Sequence, residues 1–161
     1  MERAPFLPIW PAENAADMNE IRRLFRAYAD WLNIDLAYQG FEAELVGLPG
    51  KYAPPAGALL LAGDKTDPPV GCVALRPFAQ NGWCEMKRLY VAPEGRGLGL
   101  GGRLVAAIID RAKALGYRRM VLDTLPTMAA AIALYERHGF LQIPAYYDTP
   151  VTDTVFFALD W

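Results

Sequence analysis

A glycine-rich turn between a strand-like run and a helix-like run constrains this chain more than any other feature. The sequence LYVAPEGRGLGLGGRLV occupies residues 89–105, with glycines at positions 97, 99, 101 and 102. Glycine lets a ligand approach the backbone closely, and the first N–H groups of a helix have no partner within it. Together with the helix dipole, these groups form an anion site suited to phosphate. The alternative is a flexible connection, but glycine costs a helix about 1 kcal/mol relative to alanine, which favours a backbone-proximity requirement.

Hydrophobic patterns along the chain predict a mixed sheet flanked by helices, in the α/β (α+β mixed) class. Strand-like runs occupy residues 6–10 (stopped by Pro11), 58–62, 70–78, 83–91, 119–123, 140–143 and 154–159. Helical spacing occupies residues 14–32, 41–47, 98–115 and 127–138, and a proline-rich loop covers 48–57. A length of 161 residues without repeats or linkers predicts a single domain over residues 1–161.

Composition excludes several functional classes. Lys and Arg total 16 against 18 Asp and Glu, so the chain lacks the basic excess typical of nucleic-acid binders. Two cysteines, Cys72 and Cys84, and one histidine, His138, are too few for a disulfide framework or a zinc site. We interpret the cysteines as small buried hydrophobes and His138 as a helix C-terminal residue. Without a signal peptide or an apolar run of roughly 20 residues, we expect a soluble cytoplasmic protein that binds no membrane.

Two cofactor classes compete for the glycine turn. Gly97, Gly99 and Gly102 match the dinucleotide fingerprint, and Asp123 follows at a strand end as that motif requires. However, residues 92–96 separate the strand from the first glycine, and only 38 residues follow Asp123. That length is too short for the remaining strands of a doubly wound sheet. A dinucleotide-binding oxidoreductase is therefore a distant alternative, which NADH fluorescence would test.

The better match is Arg96-x-x-Gly99-x-Gly101, which resembles the acyl-CoA pyrophosphate loop of the GNAT (GCN5-related N-acetyltransferase) family. CEMKRLYV (84–91) is similar to the family's fourth strand and GYRRMVLDT (116–124) to its fifth. AIALYERHGF (131–140) is similar to its Ala-x-x-Leu-Tyr-x-x-x-Gly-Phe helix end. The order of elements also matches over nearly the whole chain. The resemblance implies a GNAT-like acyl-CoA N-acyltransferase fold and acetyl-CoA as co-substrate.

The resemblance also implies which residues bind the co-substrate. The backbone of Leu89 and Val91 is expected to pair with the pantetheine arm, where the fourth and fifth strands splay apart. The guanidinium of Arg96 can hold phosphate bidentately. It is expected to bind the pyrophosphate together with the backbone amides of Gly97, Leu98, Gly99, Leu100, Gly101 and Gly102. Many relatives carry an asparagine seven residues before the helix-end tyrosine, and Met128 stands there in this chain. One polar contact to CoA is therefore in doubt.

By the same resemblance, Tyr135 occupies the usual general-acid position. A phenol with a pKa of about 10 can hydrogen-bond to the departing thiolate or protonate it. Glu85 stands where several family members place a base that removes a proton from the amine. An amine with a pKa of about 10.4 is almost wholly protonated at neutral pH and needs such a base. The alternatives are a packing role for Tyr135 and an ordinary ion pair of Glu85 with Lys87 or Arg88.

Acidic and aromatic residues in the first helices and in the 48–57 and 143–153 segments suit a cationic amine acceptor, although a solvated rim would look the same. They are Asp35, Glu42, Glu44, Asp148, Tyr38, Tyr52, Tyr146 and Tyr147. Two functions stay open: direct acetyl transfer to a primary amine of a small molecule or peptide, and a non-catalytic acyl-CoA sensor. Tyr135 and Glu85 favour the enzyme. A homodimer is compatible with such a fold, but no sequence feature specifies it.

Overall fold

The computed structural model describes residues 6–78 and 82–161, which contain a seven-stranded mixed sheet. The strands are β1 (Ile9–Pro11), β2 (Ala58–Ala62), β3 (Gly71–Pro77), β4 (Trp83–Val91), β5 (Arg119–Thr124), β6 (Leu141–Ile143) and β7 (Val155–Asp160). The helices are α1 (Ala15–Leu32), α2 (Phe41–Val46), α3 (Leu100–Ala114) and α4 (Ala129–Arg137). Short 3₁₀ turns occupy Leu36–Gln39, Gly50–Tyr52 and Pro93–Gly95. This architecture confirms the predicted fold class.

The sheet has the strand order β1-β2-β3-β4-β5-β7-β6 and separates two apolar cores. On one side, hereafter the α3 face, Leu104 and Ile108 of α3 are fully buried against the sheet, and α4 packs beside them. On the other, the α1 face, Ile21 and Phe25 of α1 are fully buried. The helical spacing of these residues in the sequence places them on one side of each helix. None of the helices in the described part of the chain is both long and apolar enough to cross a membrane.

Local chemistry explains where the elements begin and end. Asn14 caps α1, because its side-chain oxygen accepts a hydrogen bond of 2.8 Å from the amide of Asp17. The predicted helix over 98–115 begins later, at Leu100, because Gly97 and Gly99 adopt φ angles of 81° and 71°. The first strand begins at Ile9 rather than at residue 6, and it ends with Pro11, which is its last residue and pairs with Leu60. An edge strand tolerates proline because the missing N–H faces outward.

The feature that shapes the site is the short contact between β4 and β5. They form the one parallel pair of the described sheet, and they pair only from Trp83 to Glu85 on β4 and from Arg119 to Val121 on β5. Beyond that point β4 continues to Val91 and β5 to Thr124 with a gap between them. This parting of the strands is the splay that the family resemblance implied.

A β-bulge bends β4 just beyond the parting point. The pairing with β3 shifts between Cys72–Tyr90 and Ala74–Lys87, so β4 carries one extra residue there. Arg88 lies within the bulge and adopts a φ angle of 61°, which is unusual for a residue with a side chain. A bulge of this kind redirects the side chains beside it and ends regular pairing.

Candidate active site

An open cleft lies where β4 and β5 part, and it reaches both faces of the sheet through the gap. Tyr135, Leu122 and Met128 line it from the α3 face. Its lining on the α1 face combines aromatic, charged and amide side chains: Tyr28, Trp31, Tyr38, Gln39, Lys87 and Asp123. A molecule placed in the gap would therefore contact an apolar wall on one side and a polar, aromatic wall on the other.

Tyr135 projects from α4 to the cleft and is 6% exposed. Its ring packs beside the rings of Phe140 and Phe157, with centroid separations of 5.8 and 6.4 Å. Its hydroxyl has no hydrogen-bond partner within residues 6–78 and 82–161. Burial raises the pKa of the Tyr135 phenol well above its ordinary value, so the hydroxyl stays protonated at neutral pH. It can therefore donate a hydrogen bond to a group bound in the cleft.

The backbone at the start of α3 presents a row of free amides. Among the described residues, the N–H groups from Gly97 to Gly102 have no acceptor, and the first bonded amide is that of Arg103, which donates to the carbonyl of Gly99. No side chain caps the helix. Six consecutive free donors at the positive end of a helix dipole form a site for an anion such as a diphosphate.

The four glycines of this turn serve two different purposes. Gly97 and Gly99 are needed for their positive φ angles, since a Cβ at either position would meet nothing within 4 Å. Gly101 and Gly102 face α4, and a Cβ at each would lie 3.4 Å from the side chain of Leu134. Such a distance is an ordinary van der Waals contact, so the packing of α3 on α4 does not by itself require glycine at either position, and the predicted close approach of a ligand to the backbone stays the reason proposed for these two.

Arg96 is held between the free amides and β4. Its Nε donates to the carbonyl oxygen of Val91 at 3.0 Å, and its guanidinium carbon lies 5.4 Å from the ring centre of Trp31. Leu89, on the unpaired part of β4, lines the cleft. Arg96 therefore joins Val91, at the end of β4, to Trp31 on the cleft wall, whereas Val91, Arg96 and residues 97–102 do not themselves line the cleft.

Glu85 is not part of the cleft lining. It is 1% exposed at the last paired position of β4. Its Oε1 accepts hydrogen bonds from the Nε and Nη2 atoms of Arg76 at 2.8 and 2.7 Å. Its Oε2 accepts a short bond of 2.5 Å from the hydroxyl of Tyr146. The structure thus does not bring Glu85 into the same cavity as Tyr135, and the partner of Glu85 is Arg76 rather than Lys87 or Arg88.

The sequence reasoning considered Asp123 only within the dinucleotide motif and Lys87 only as an ion-pair partner of Glu85, although both line the cleft. Lys87 Nζ lies 3.3 Å from Gln39 Oε1 and 3.9 Å from Asp123 Oδ1. Asp123 Oδ2 accepts a 2.5 Å hydrogen bond from the hydroxyl of Tyr147. A signal existed: charged residues interrupt two buried strands. Along β4, the apolar residues stand first at even-numbered positions, 84 and 86, and then at odd-numbered ones, 89 and 91. Since alternate residues face the same side of a strand, this change is expected where the strand carries one extra residue.

The acidic and aromatic residues predicted to receive an amine do not form one cluster. Glu44 pairs with the buried Arg88 at 3.1 Å and also accepts a bond from Tyr52. Glu42 forms an exposed pair with Arg26, and Asp35 caps the 3₁₀ turn at Leu36–Gln39. Of this set Tyr38 lines the cleft, while Tyr146 and Tyr147 reach Glu85 and Asp123. No group of three or more His, Cys, Asp or Glu side chains suited to a metal occurs in the described ranges.

Comparisons with known proteins agree with this geometry. The model of the acetyltransferase (GNAT) family matches residues 18–140. An uncharacterized N-acetyltransferase of Schizosaccharomyces pombe is 43% identical over 144 residues, which cover 89% of this chain and 88% of that protein. This chain belongs to the GNAT family.

Solved structures agree on the fold. A GNAT acetyltransferase from Staphylococcus aureus superimposes with a TM-score of 0.79 at 20% identity, over 96% of this chain and 99% of that one. A structure from Salmonella typhimurium that contains acetyl-CoA as its cofactor superimposes with a TM-score of 0.66 at 23% identity, over 96% and 93%. The family assignment makes this GNAT protein an N-acetyltransferase of a family that uses acetyl-CoA, and it confirms the resemblance found in the sequence.

The two cysteines of this GNAT enzyme lie within its cores. Cys72 and Cys84 are both fully buried, and the thiol of Cys72 donates to the carbonyl of Arg88. Burial raises the pKa of each thiol to about 12. His138 forms the C-cap of α4, with Nδ1 2.9 Å from the carbonyl oxygen of Leu134. The positions of all three residues agree with the interpretation drawn from the sequence.

These thiols should therefore be unreactive in the folded protein. A thiol with a raised pKa remains protonated at neutral and mildly alkaline pH, whereas the thiolate is the reactive form. A disulfide-exchange reagent at pH 8 should detect no protein thiol in the native state and both cysteines after denaturation in guanidinium. Rapid labelling of the native protein would contradict the burial of Cys72 and Cys84.

Proposed function

We propose that this GNAT enzyme transfers an acetyl group from acetyl-CoA directly to a primary amine of a small molecule or peptide, in a ternary complex. The observation that carries the proposal is the gap between β4 and β5, with Tyr135 on its wall and, in the segment that follows β4, the free amides at the start of α3. In this proposal residues 1–161 act as one N-acetyltransferase domain. The cytoplasmic location, the absence of a nucleic-acid partner and the homodimer remain predictions from the sequence.

The proposed binding site for acetyl-CoA uses backbone groups and a single guanidinium. The free amides from Gly97 to Gly102 and the side chain of Arg96 bind the pyrophosphate. The unpaired backbone of β4 at Leu89 and Val91 accepts the pantetheine arm as an additional strand would. The carbonyl of Val91 already accepts a bond from Arg96, so its second lone pair is the one left for the arm.

Replacing Gly99 by alanine tests the amide row. Both Gly99 and Gly116 have positive φ angles, 71° and 90°, and a Cβ at either would meet nothing within 4 Å. Gly99→Ala and Gly116→Ala should therefore lose a similar free energy of unfolding, about 1–2 kcal/mol. Only Gly99→Ala should weaken acetyl-CoA binding in calorimetric titration, by about tenfold, since the strained turn misplaces a donor to the phosphate. Equal binding by the two variants would refute the site.

Tyr135 acts as the general acid in the proposed transfer. Acetyl-CoA supplies the acetyl group as a thioester, and negative charge develops on the sulfur as the amine nitrogen bonds to the carbonyl carbon. Tyr135 has a protonated hydroxyl with no other partner among the described residues, and it lines the gap. Its O–H donates a hydrogen bond to that sulfur, and the proton follows as the C–S bond breaks. The phenolate left on Tyr135 regains a proton from solvent before the next turnover.

The variant Tyr135→Phe should lower kcat by roughly 10²–10⁴-fold and leave the affinity for acetyl-CoA unchanged, since only the hydroxyl is removed. The matched control is Tyr117→Phe, because the hydroxyl of Tyr117 donates to the carbonyl of Ala56 and does not reach the cleft. Free-thiol release with a panel of amines measures kcat, and calorimetry measures binding. A sensor would instead bind acetyl-CoA and release no thiol with any amine, before or after the substitution.

Glu85 is the proposed final acceptor of the proton that the amine loses. Because Glu85 is buried outside the cleft lining, the proton reaches it only through a bridging group. The hydroxyl of Tyr146 is bonded to Glu85 Oε2 and can take a proton on its oxygen while passing its own to the carboxylate. Tyr146 does not line the cleft either, so a water molecule must carry the proton from the amine to its hydroxyl. Arg76 holds the other carboxylate oxygen and so fixes the orientation of Glu85.

This relay predicts non-additive kinetics. Glu85→Gln and Tyr146→Phe should each lower kcat by roughly 10²-fold, and the double variant should be no slower than the single ones, because one path is broken in all three. The control Glu20→Gln changes a surface carboxylate that pairs with Arg23. Thermal unfolding verifies that each variant is folded. Losses that multiply in the double variant, or an unchanged kcat, would show that Glu85 has another role.

A further inference from the structure

Lys87 is a buried ammonium group without a full set of partners. Its side chain is 5% exposed, yet it lines the cleft. The ammonium carries three donors. One donates to Gln39 Oε1 at 3.3 Å, but that oxygen already accepts a shorter bond of 2.8 Å from Arg88. Asp123 Oδ1, at 3.9 Å, is beyond hydrogen-bond distance. Two donors of Lys87 thus find no acceptor among the described residues.

The two other cations on this face, the buried Arg88 and the half-buried Arg76, each donate two hydrogen bonds to one carboxylate. Arg88 forms two hydrogen bonds to Glu44, at 3.1 and 3.2 Å, and Arg76 forms two to Glu85. Burying a charge costs free energy unless it is paired and hydrogen-bonded, and in Lys87 desolvation lowers the pKa of the ammonium. Lys87 is therefore the cation of this group that can gain an acceptor from a bound molecule.

Asp123 lies beside Lys87 on the wall of the same cleft. Its Oδ2 accepts the hydroxyl of Tyr147, which leaves Oδ1 facing Lys87 and the cleft. Both side chains lie on the α1 face, across the gap from Tyr135 on the α3 face. A molecule that meets Lys87 and Asp123 would consequently reach the gap from the side opposite to the general acid, as an acetyl acceptor must.

We propose that the acceptor is a free α-amino acid, whose carboxylate binds Lys87 and whose α-amine is held by Asp123. This inference rests on the proposed function and names its acceptor class. The two charged groups of an α-amino acid share one carbon, so they match a cation and an anion separated by 3.9 Å. Each group of the amino acid then lies against its opposite charge, and its side chain extends toward the aromatic rim at Tyr28, Trp31 and Tyr38.

Other amine classes fit these charges less well. A polyamine brings a second cation beside Lys87, and a lysine side chain brings an isolated one. Neither gives the free donors of Lys87 an acceptor. A peptide N-terminus offers Lys87 a neutral carbonyl oxygen in place of a carboxylate. A carboxylate adds to the hydrogen bond a direct attraction between opposite charges, which a neutral carbonyl lacks, so the free acid should be preferred over both.

A matched set of acceptors tests the inference on the wild-type enzyme. L-Phenylalanine, L-leucine and L-methionine would each be compared with the corresponding α-amide and decarboxylated amine, by thiol release from acetyl-CoA. We expect kcat/KM for the acids, corrected for the neutral-amine fraction, to exceed that for the amides and amines by about 10- to 100-fold. Equal or better use of the amides or the decarboxylated amines would overturn the inference.

Removing the charge of Lys87 tests its role directly. In Lys87→Met, kcat/KM for the acids should fall about 10- to 100-fold while that for the amides stays within about twofold. Lys113→Met is the matched control on the surface of α3, where Lys113 lies over the ring of Trp161. Calorimetric binding of L-phenylalanine to the CoA complex should weaken in Lys87→Met and remain unchanged in the control. An equal loss for acids and amides would refute the assignment of the carboxylate to Lys87.

The results distinguish a failure of the amino-acid inference from a failure of the proposed function. Thiol release with amines that lack a carboxylate, together with poor use of the acids, refutes the amino-acid inference and leaves the transferase intact. Acetyl-CoA binding without thiol release from any of the three classes refutes both. A failure of acetyl-CoA to bind refutes the assignment of the glycine turn as the pyrophosphate site. It also refutes the acceptor site to which Lys87 was assigned.

Discussion

The parallel contact between β4 and β5 ends after three residue pairs, and the rest of the site depends on that end. The bulge at Arg88 bends β4, and its left-handed backbone costs about 1–2 kcal/mol. Hydrogen bonds from the Arg88 guanidinium to Glu44 and Gln39 offset this cost. The α2 region therefore supports the gap, although it lies more than 40 residues away in the sequence.

Three cations on one face of the sheet, two buried and one half-buried, have three different roles. Arg88 stabilises the bulge, and Arg76 orients Glu85. Lys87, between them in the sheet, has no such bidentate partner and borders open space. Buried ion pairs add little to stability on average, because desolvation offsets their attraction. Their value here is positional: the Arg88 pair holds one wall of the cleft, the Arg76 pair orients Glu85 outside it, and Lys87 keeps charge available to a substrate.

The parts of this protein that could be predicted from sequence are those specified locally. The apolar spacing of α1 and α3, the Asn14 cap and the glycine turn each depend on neighbouring residues, and Tyr135 stands within a recognisable helix end. The arrangement of Lys87 and Asp123 could not be predicted, because it depends on which strands pair and where they part. The separation of Glu85 from the cleft has the same cause, since Arg76 and Tyr146 reach it from distant segments.

Different parts of the chain are assigned to bind the two substrates. The groups assigned to acetyl-CoA belong to β4, the start of α3 and α4, all within the family match over residues 18–140. The acceptor side also uses Tyr147, which lies beyond that match in the β6–β7 connection and meets Asp123 through a single hydrogen bond. That connection can change in sequence without disturbing the α3 core or the free amides. Family membership therefore places the chain in a family that uses acetyl-CoA, whereas the acceptor must be inferred from the charges that line the α1 face.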